Sequence, residues 1–104
     1  MNSIDQQEIF RAKVNLDTSK IAWKELQRFF ASGSALAVAA DLDLVEVAYQ
    51  MSEDNVALIQ QWATAGKLGK VSDKQAGEWL TDDVSVWAVV VSPWVLVQPI
   101  RQVH

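Results

Sequence analysis

The sequence has 104 residues, a formal net charge of −4 and no cysteine. The length fits a single domain over residues 1–104, and the lack of cysteine excludes a disulfide framework, a thiol nucleophile, zinc–thiolate sites and iron–sulfur clusters. The nine basic residues are scattered along the chain. We therefore expect neither a nucleic-acid-binding surface nor docking on an anionic membrane.

The composition also predicts a cytoplasmic, soluble protein. Proteins without cysteine fit a reducing compartment more simply than an oxidising one. The N-terminus carries neither the basic region nor the apolar stretch of a signal peptide. The longest apolar stretch, residues 84–97, is interrupted by Ser85, Ser92 and Pro93. It is shorter than the roughly 20 residues that span a bilayer.

The N-terminal third is predicted to be helical. Ile9, Ala12 and Leu16 lie on one stripe of a helix over residues 3–15. A second helix is predicted over residues 19–31 and ends before Gly33, which suits a left-handed C-cap. The buried stripe expected for this second helix consists of Ala22, Leu26, Phe29 and Phe30, with Trp23 at its edge.

A short strand and three more helices are predicted next. Residues 35–40 form an apolar run that we interpret as a buried strand. Asp43 and Glu46 have the spacing of a capping box at the start of a helix over residues 44–52. Helices over residues 55–65 and 73–80 follow, and Ser72 and Gln75 cap the last one. The residues expected to be buried in these two helices are Val56, Ile59, Trp62, Ala63, Ala76, Trp79 and Leu80.

The C-terminal part is predicted to be a β-hairpin. Residues 84–91 are rich in β-branched side chains, Ser92 and Pro93 form a turn, and residues 94–98 form the second strand. Pro99 ends the ladder because it has no amide hydrogen. The sequence therefore predicts an α+β fold, with about five short helices packed on a small antiparallel sheet.

The first hairpin strand is apolar on both faces, whereas a half-buried strand alternates with polar residues. Because five short helices cover two faces of a sheet with difficulty, we expect a second copy of the chain to bury part of it. The interface residues of this homodimer would be Trp87, Val89, Val91 and Trp94. The alternative is that helices of one chain cover both faces, and an unknown protein partner at the hairpin is a further option.

Three segments of the sequence carry a family resemblance. They are IAWKELQRFF at residues 21–30, DLDLVEVA at residues 41–48 and WAVVVSPWVLVQ at residues 87–98. Together they resemble a family of small bacterial proteins known only as a domain of unknown function. The resemblance covers a core of about residues 12–98 and implies a bacterial, stand-alone domain. It implies no activity, cofactor or catalytic residue.

The most suggestive polar group is acidic. Asp41, Asp43 and Glu46 surround a predicted strand-to-helix junction, where three carboxylates could bind a hard cation such as Mg²⁺ or Ca²⁺. The domain would then be a small-molecule-binding or metal-binding protein, and an enzyme is one form that such a protein could take. The same residues also fit a helix N-terminus, whose dipole and unpaired amides favour acids. We favour capping and assign no metal ligand.

Other chemistry has little support in the sequence. The single histidine, His104, is the last residue, and no nucleophile motif is present. The segment over residues 66–70, GKLGK, follows a helix instead of opening one, so we interpret it as a C-cap and loop and not as a phosphate cradle. We therefore expect no catalytic residue and no cofactor, and we regard an enzyme as the less favoured reading.

A winged-helix nucleic-acid binder would have the same order of elements. Its recognition helix would cover residues 55–65, which contain no arginine or lysine to contact phosphates. The sequence therefore favours a non-enzymatic interaction or regulatory module that acts as a homodimer.

Overall fold

The computed structural model describes residues 9, 13 and 17–100. Strand β1 (Ser19–Ala22) leads into a 3-10 turn (Trp23–Leu26) that continues as helix α1 (Gln27–Ala31). The remaining elements are β2 (Ala35–Val38), α2 (Leu44–Ser52), α3 (Val56–Thr64), β3 (Leu68–Lys70), α4 (Asp73–Thr81), β4 (Ser85–Val91) and β5 (Trp94–Pro99). Of the helix predicted over residues 3–15, only Ile9 and Lys13 are described, and both are helical.

The strands form one five-stranded sheet in the order β1-β4-β5-β2-β3. β4 and β5 pair antiparallel over the whole hairpin, from Val91 opposite Trp94 to Val86 opposite Pro99. β2 runs parallel to β5 because the three helices between them provide the long connection that a parallel pair requires. The α+β class and the C-terminal hairpin are confirmed, and the sheet is mixed instead of wholly antiparallel.

The helix predicted over residues 19–31 is wrong in its first four residues. These residues form β1, which pairs with β4 from Ser19 opposite Ala88 to Ala22 opposite Ser85. The backbone N–H of Trp23 then donates to the carbonyl oxygen of Val84 at 2.9 Å and holds the start of the 3-10 turn beside β4. Pairing with the sheet decides the conformation here, because four residues have only a weak helical preference of their own.

Helices cover the sheet on both faces. On one side, which we call the α4 face, Val86, Ala88 and Val97 pack in a cluster with Trp23 and Ala76. On the other side, the α2 face, strand residues pack against the apolar stripe of α2. That second cluster contains Val38, Leu68, Val89 and Leu96 from the sheet and Leu44, Val47 and Ala48 from α2. The two-sided apolar strand is thus explained within one chain, and a second copy is not needed to cover these faces.

Trp23 is the centre of the α4 face, although the helical pattern places it at the edge of a stripe. Its side chain is fully buried, and its Nε1 donates to the carbonyl oxygen of Ala76 at 3.1 Å. Its ring meets those of Trp79 and Phe30 edge to face, with centroids 5.1 Å and 6.0 Å away. These contacts fasten the 3-10 turn to α1 and α4.

Three residues that the helical stripes predict to be buried are exposed: Val56, Ala63 and Leu80. α3 packs on the α2 face only through partly buried side chains, among them Ile59 and Trp62, so its ends face solvent. No helix among the residues that the structure describes has both the length and the hydropathy that crossing a bilayer requires.

Candidate functional site

The three carboxylates that the sequence analysis weighed as metal ligands, and for which capping was favoured, have separate structural roles. Asp43 is the N-cap of α2, where its Oδ1 accepts hydrogen bonds from the backbone N–H of Val45 at 2.9 Å and of Glu46 at 3.4 Å. Glu46 accepts a hydrogen bond from Gln50 at 2.8 Å. Asp41 forms an ion pair with Lys67. Within the described part of the chain, no three Asp, Glu, His or Cys side chains are grouped to hold a metal ion.

The ion pair between Asp41 and Lys67 joins the loop after β2 to the loop before β3. The hydrogen bond that Lys67 donates lowers the pKa of the Asp41 carboxyl below its ordinary value. The loop that carries Asp41 is itself anchored, because Gln98 on β5 donates from its Nε2 to the carbonyl oxygens of Ala39 and Leu42, both at 2.7 Å. Asp41 is therefore a fixed partner of Lys67.

A cleft of about 480 Å³ lies beside this ion pair, between the outer edge of β3, the end of β2 and the first turn of α4. Gly69, Ala37 and Pro99 are part of its lining, and Gln75 of α4 also contributes. Within residues 17–100, the charged side chains that line it are those of Lys67 and Lys70. The cleft is thus positively charged in a chain whose net charge is −4.

The two capping predictions beside the cleft are confirmed. Gly66 ends α3 with a left-handed φ of 75°, so the segment over residues 66–70 is a C-cap followed by β3. Ser72 and Gln75 form a reciprocal capping box at the start of α4. β3 was not predicted from the sequence. It pairs with β2 and makes Lys70 an edge-strand residue.

The hairpin residues predicted as an interface lie in different environments. Val89 is 3% exposed and packs within the core of the α2 face of its own chain. Trp87 is 40% exposed, and Val91 and Trp94 are half-buried. The most exposed large hydrophobic side chain of the hairpin is Val90, at 68%, which is not among the predicted interface residues.

The hairpin also has a free edge near its turn. β1 pairs only with residues 85–88 of β4. On that side, no strand among the described residues pairs with residues 89–91, which we call the free edge of β4. No charged residue stands between Asp83 and Arg101. Alternation along β4 places Val90 on the same face as the buried Val86 and Ala88, so the sequence pattern gives no signal for its exposure.

A family model matches residues 9–99 of the chain. The chain belongs to the family described as protein of unknown function DUF2288. The family resemblance of the three sequence segments is thereby confirmed. The NMR solution structure of PA1075 from Pseudomonas aeruginosa is similar to this fold, with a TM-score of 0.79 and 39% sequence identity over 100% of this chain and 99% of that chain. No curated protein matches the chain.

Membership of DUF2288 assigns no activity. Two surfaces of the structure are candidates for a function: the free edge of β4 and the positively charged cleft beside β3. His104 lies outside the described residues. The expectation that the domain does not bind nucleic acid stays a prediction.

Proposed function

We propose that this domain is a non-enzymatic interaction module that forms a homodimer through the free edge of β4. The observation that carries the proposal is an edge of three valines without a strand partner among the described residues and without a nearby charge in sequence. Helices of the same chain cover Val86, Ala88 and Val89 of β4 but leave Val90 exposed, so the edge at Val90 is the surface that we assign to pairing.

An open strand edge presents unpaired backbone N–H and C=O groups that can pair with another strand. Proteins usually block such edges with lysine, proline, a bulge or a covering element. The opposite edge of this sheet fits that rule, because β3 carries Lys70 and follows Lys67 directly. The free edge of β4 has no such charge, which supports its use as a contact surface.

A second copy of the chain is the partner that this edge fits best. In a dimer with twofold symmetry the same patch meets itself, and antiparallel pairing of two identical strands satisfies that symmetry. Val90 would lie at the centre of such a pair. Because the segment carries no charge, two copies can approach without like-charge repulsion. Trp87, on the α2 face of the same strand, would lie at the margin of the contact.

The experiment measures the solution mass of the wild-type chain and of Val90→Lys by light scattering on a sizing column. We expect a wild-type mass of twice 11.6 kDa and a variant mass of 11.6 kDa, since lysine at an edge blocks strand pairing. The matched control is Val56→Lys, because Val56 is also exposed, at 53%, but lies on α3. This control should remain a dimer.

Substitution at Val89 would not test the proposal, because a charge at a core position unfolds the chain whatever its assembly. Circular dichroism should show that Val90→Lys and Val56→Lys stay folded, since both positions are exposed. A wild-type chain of monomer mass at every concentration contradicts the proposal. So does a folded Val90→Lys variant that keeps the dimer mass.

We also propose a cytoplasmic location. It is supported by the absence of cysteine from the chain, which fits a reducing compartment. Fractionation of bacterial cells that express the sequence without an added tag would test this location. Recovery of the protein outside the cytoplasmic fraction would contradict it.

A further inference from the structure

We infer that the cleft beside β3 binds a small molecule that carries a phosphate or carboxylate group. The inference is independent of the proposed dimer, because the cleft lies at the opposite edge of the sheet. Its volume of about 480 Å³ falls within the range of about 300–1,000 Å³ that small-molecule sites occupy.

The charge of the cleft selects an anion. Among the residues that the structure describes, Lys67 and Lys70 are the only charged ones that line it, and none of the described Asp or Glu residues does. Acidic residues outnumber basic ones in the whole chain, by 13 to 9. The cleft is therefore more positive than the protein as a whole, with Asp41 offsetting the charge of Lys67 and leaving that of Lys70, so it favours oxyanions over cations.

Lys70 provides the uncommitted charge. Lys67 already binds Asp41, whereas no carboxylate of the described residues lies within ion-pair distance of Lys70. The Lys70 Nζ lies beside the turn at Gly33, 3.5 Å from the point that a Cβ on Gly33 would occupy, and Gly33 does not line the cleft. The exposed side chain of Lys70 would therefore rotate to bring its ammonium to an oxyanion in the cleft. An oxyanion in the cleft would supply the partner that Lys70 lacks.

Backbone donors lie at the same edge. Val71 N–H donates to Ala35 at 3.2 Å, and Ala39 N–H donates to Lys67 at 2.9 Å, which fixes the phase of the antiparallel ladder between β2 and β3. In that phase the N–H groups of Leu68 and Lys70 point away from β2, towards the outer edge. Backbone N–H groups and an ammonium together are the usual donors to phosphate and carboxylate oxygens.

The rest of the cleft provides room for the body of the ligand. The lining residues Ala37, Gly69 and Pro99 are small or apolar, so they can contact an uncharged group. Gln75 adds one polar contact. Its Oε1 is used in the capping box with Ser72, and its amide nitrogen takes no part in that box. We therefore expect an anion with an attached organic body to bind more tightly than inorganic phosphate.

The test is a titration of the ¹⁵N-labelled chain, followed by the backbone amide resonances of Gly69 and Lys70 at constant ionic strength. The probes are inorganic phosphate, adenosine monophosphate and benzoate, which separate a free oxyanion from a phosphate ester and from a carboxylate with an apolar body. We expect saturable shifts at these amides, with tighter binding of at least one of the two organic probes than of inorganic phosphate.

Three variants identify the groups that bind. Lys70→Gln should weaken binding by about tenfold, because it removes a charge-assisted hydrogen bond. Asp41→Asn should tighten binding, because it releases Lys67 from its ion pair. Lys24→Gln is the matched control and should leave binding unchanged, since Lys24 lies near Asp83, at 4.0 Å, and does not line the cleft.

The inference fails if the shifts at Gly69 and Lys70 do not saturate with any probe. It also fails if Lys70→Gln binds as tightly as the wild-type chain, because the lysines of β3 would then serve only to block a sheet edge. Equal weakening by Lys24→Gln and Lys70→Gln would show a general charge effect and would contradict a site in the cleft.

Discussion

Gln98 links β5 to the loop that carries Asp41, and replacing it tests how that loop is held. Its Nε2 donates to the carbonyl oxygens of Ala39 and Leu42, both at 2.7 Å. The side chain is only partly exposed. Each such hydrogen bond contributes about 0.5–1.5 kcal/mol net. Gln98→Leu should therefore lower the free energy of unfolding by about 1–3 kcal/mol.

The assay is equilibrium unfolding in urea, with Gln60→Leu as the matched control. Gln60 is exposed on α3 and makes no hydrogen bond to a described side chain, so its substitution should change stability by less than about 0.5 kcal/mol. Equal stability of Gln98→Leu and the wild-type chain would contradict the role given to Gln98. So would an equal loss in both variants.

Gln98→Glu gives a sharper version of the same test, because it replaces a donor by an acceptor that faces two carbonyl oxygens. The pKa of the new carboxyl should be raised, since only its protonated form can donate. The folded state then binds the proton more tightly than the unfolded state, so stability falls as pH rises through the raised pKa. The deficit relative to Gln98→Leu should be largest at pH 7 and should shrink near pH 4.

Two further predictions concern the core and the ion pair at the cleft. Trp23→Ala should lower the free energy of unfolding by about 3–5 kcal/mol, because Trp23 is fully buried and hydrogen-bonded to Ala76. Trp87→Ala should lower it by less than half as much. Equal losses of stability in urea unfolding would contradict this assignment of the core. The pKa of Asp41 is below its ordinary value because Lys67 donates to it, so the pair stabilises the fold above the unfolded-state pKa and this contribution is lost as pH falls through the lowered pKa. Carboxyl-carbon resonances should show this pKa rising in Lys67→Gln, and an unchanged value would contradict the role of Lys67.

The elements that the sequence predicts well are those with local signals at both ends. α2 covers residues 44–52 as predicted, because an aspartate caps its start and apolar residues repeat at helical spacing. α4 begins at the predicted capping box. The hairpin follows from a run of β-branched residues and a Ser-Pro turn. Each of these signals lies within a few residues of the element that it specifies.

The elements that the sequence misses are short and depend on distant partners. β1 has four residues and β3 has three, so neither shows a periodicity of its own. β1 forms against residues 85–88, and β3 forms against β2. The parallel pairing of β2 with β5 is equally invisible, because strand direction in a sheet is not encoded in local composition.

The candidate sites show the same division. The capping interpretation of Asp43 needs only its neighbours at Val45 and Glu46, and it is confirmed. The ion pair between Asp41 and Lys67 spans 26 positions, and the hydrogen bond from Gln98 to Ala39 spans 59. No spacing rule predicts such contacts. The sequence shows the acidic group, but it does not show that Lys67 forms an ion pair with Asp41.

The two open strand edges of the sheet differ in their charge. Each must deal with unpaired backbone groups: β3 carries Lys70 and follows Lys67, whereas residues 89–91 at the free edge of β4 carry no charge. A charge at β4 should therefore abolish self-association and leave anion binding unchanged. Removal of Lys70 should do the reverse, because two strands, β5 and β2, separate β4 from β3. Measuring both properties in Val90→Lys, in Lys70→Gln and in the double variant separates the two surfaces. Effects that add independently would place dimerisation and anion binding on different edges, while coupled effects would mean that the dimer contact reaches the cleft.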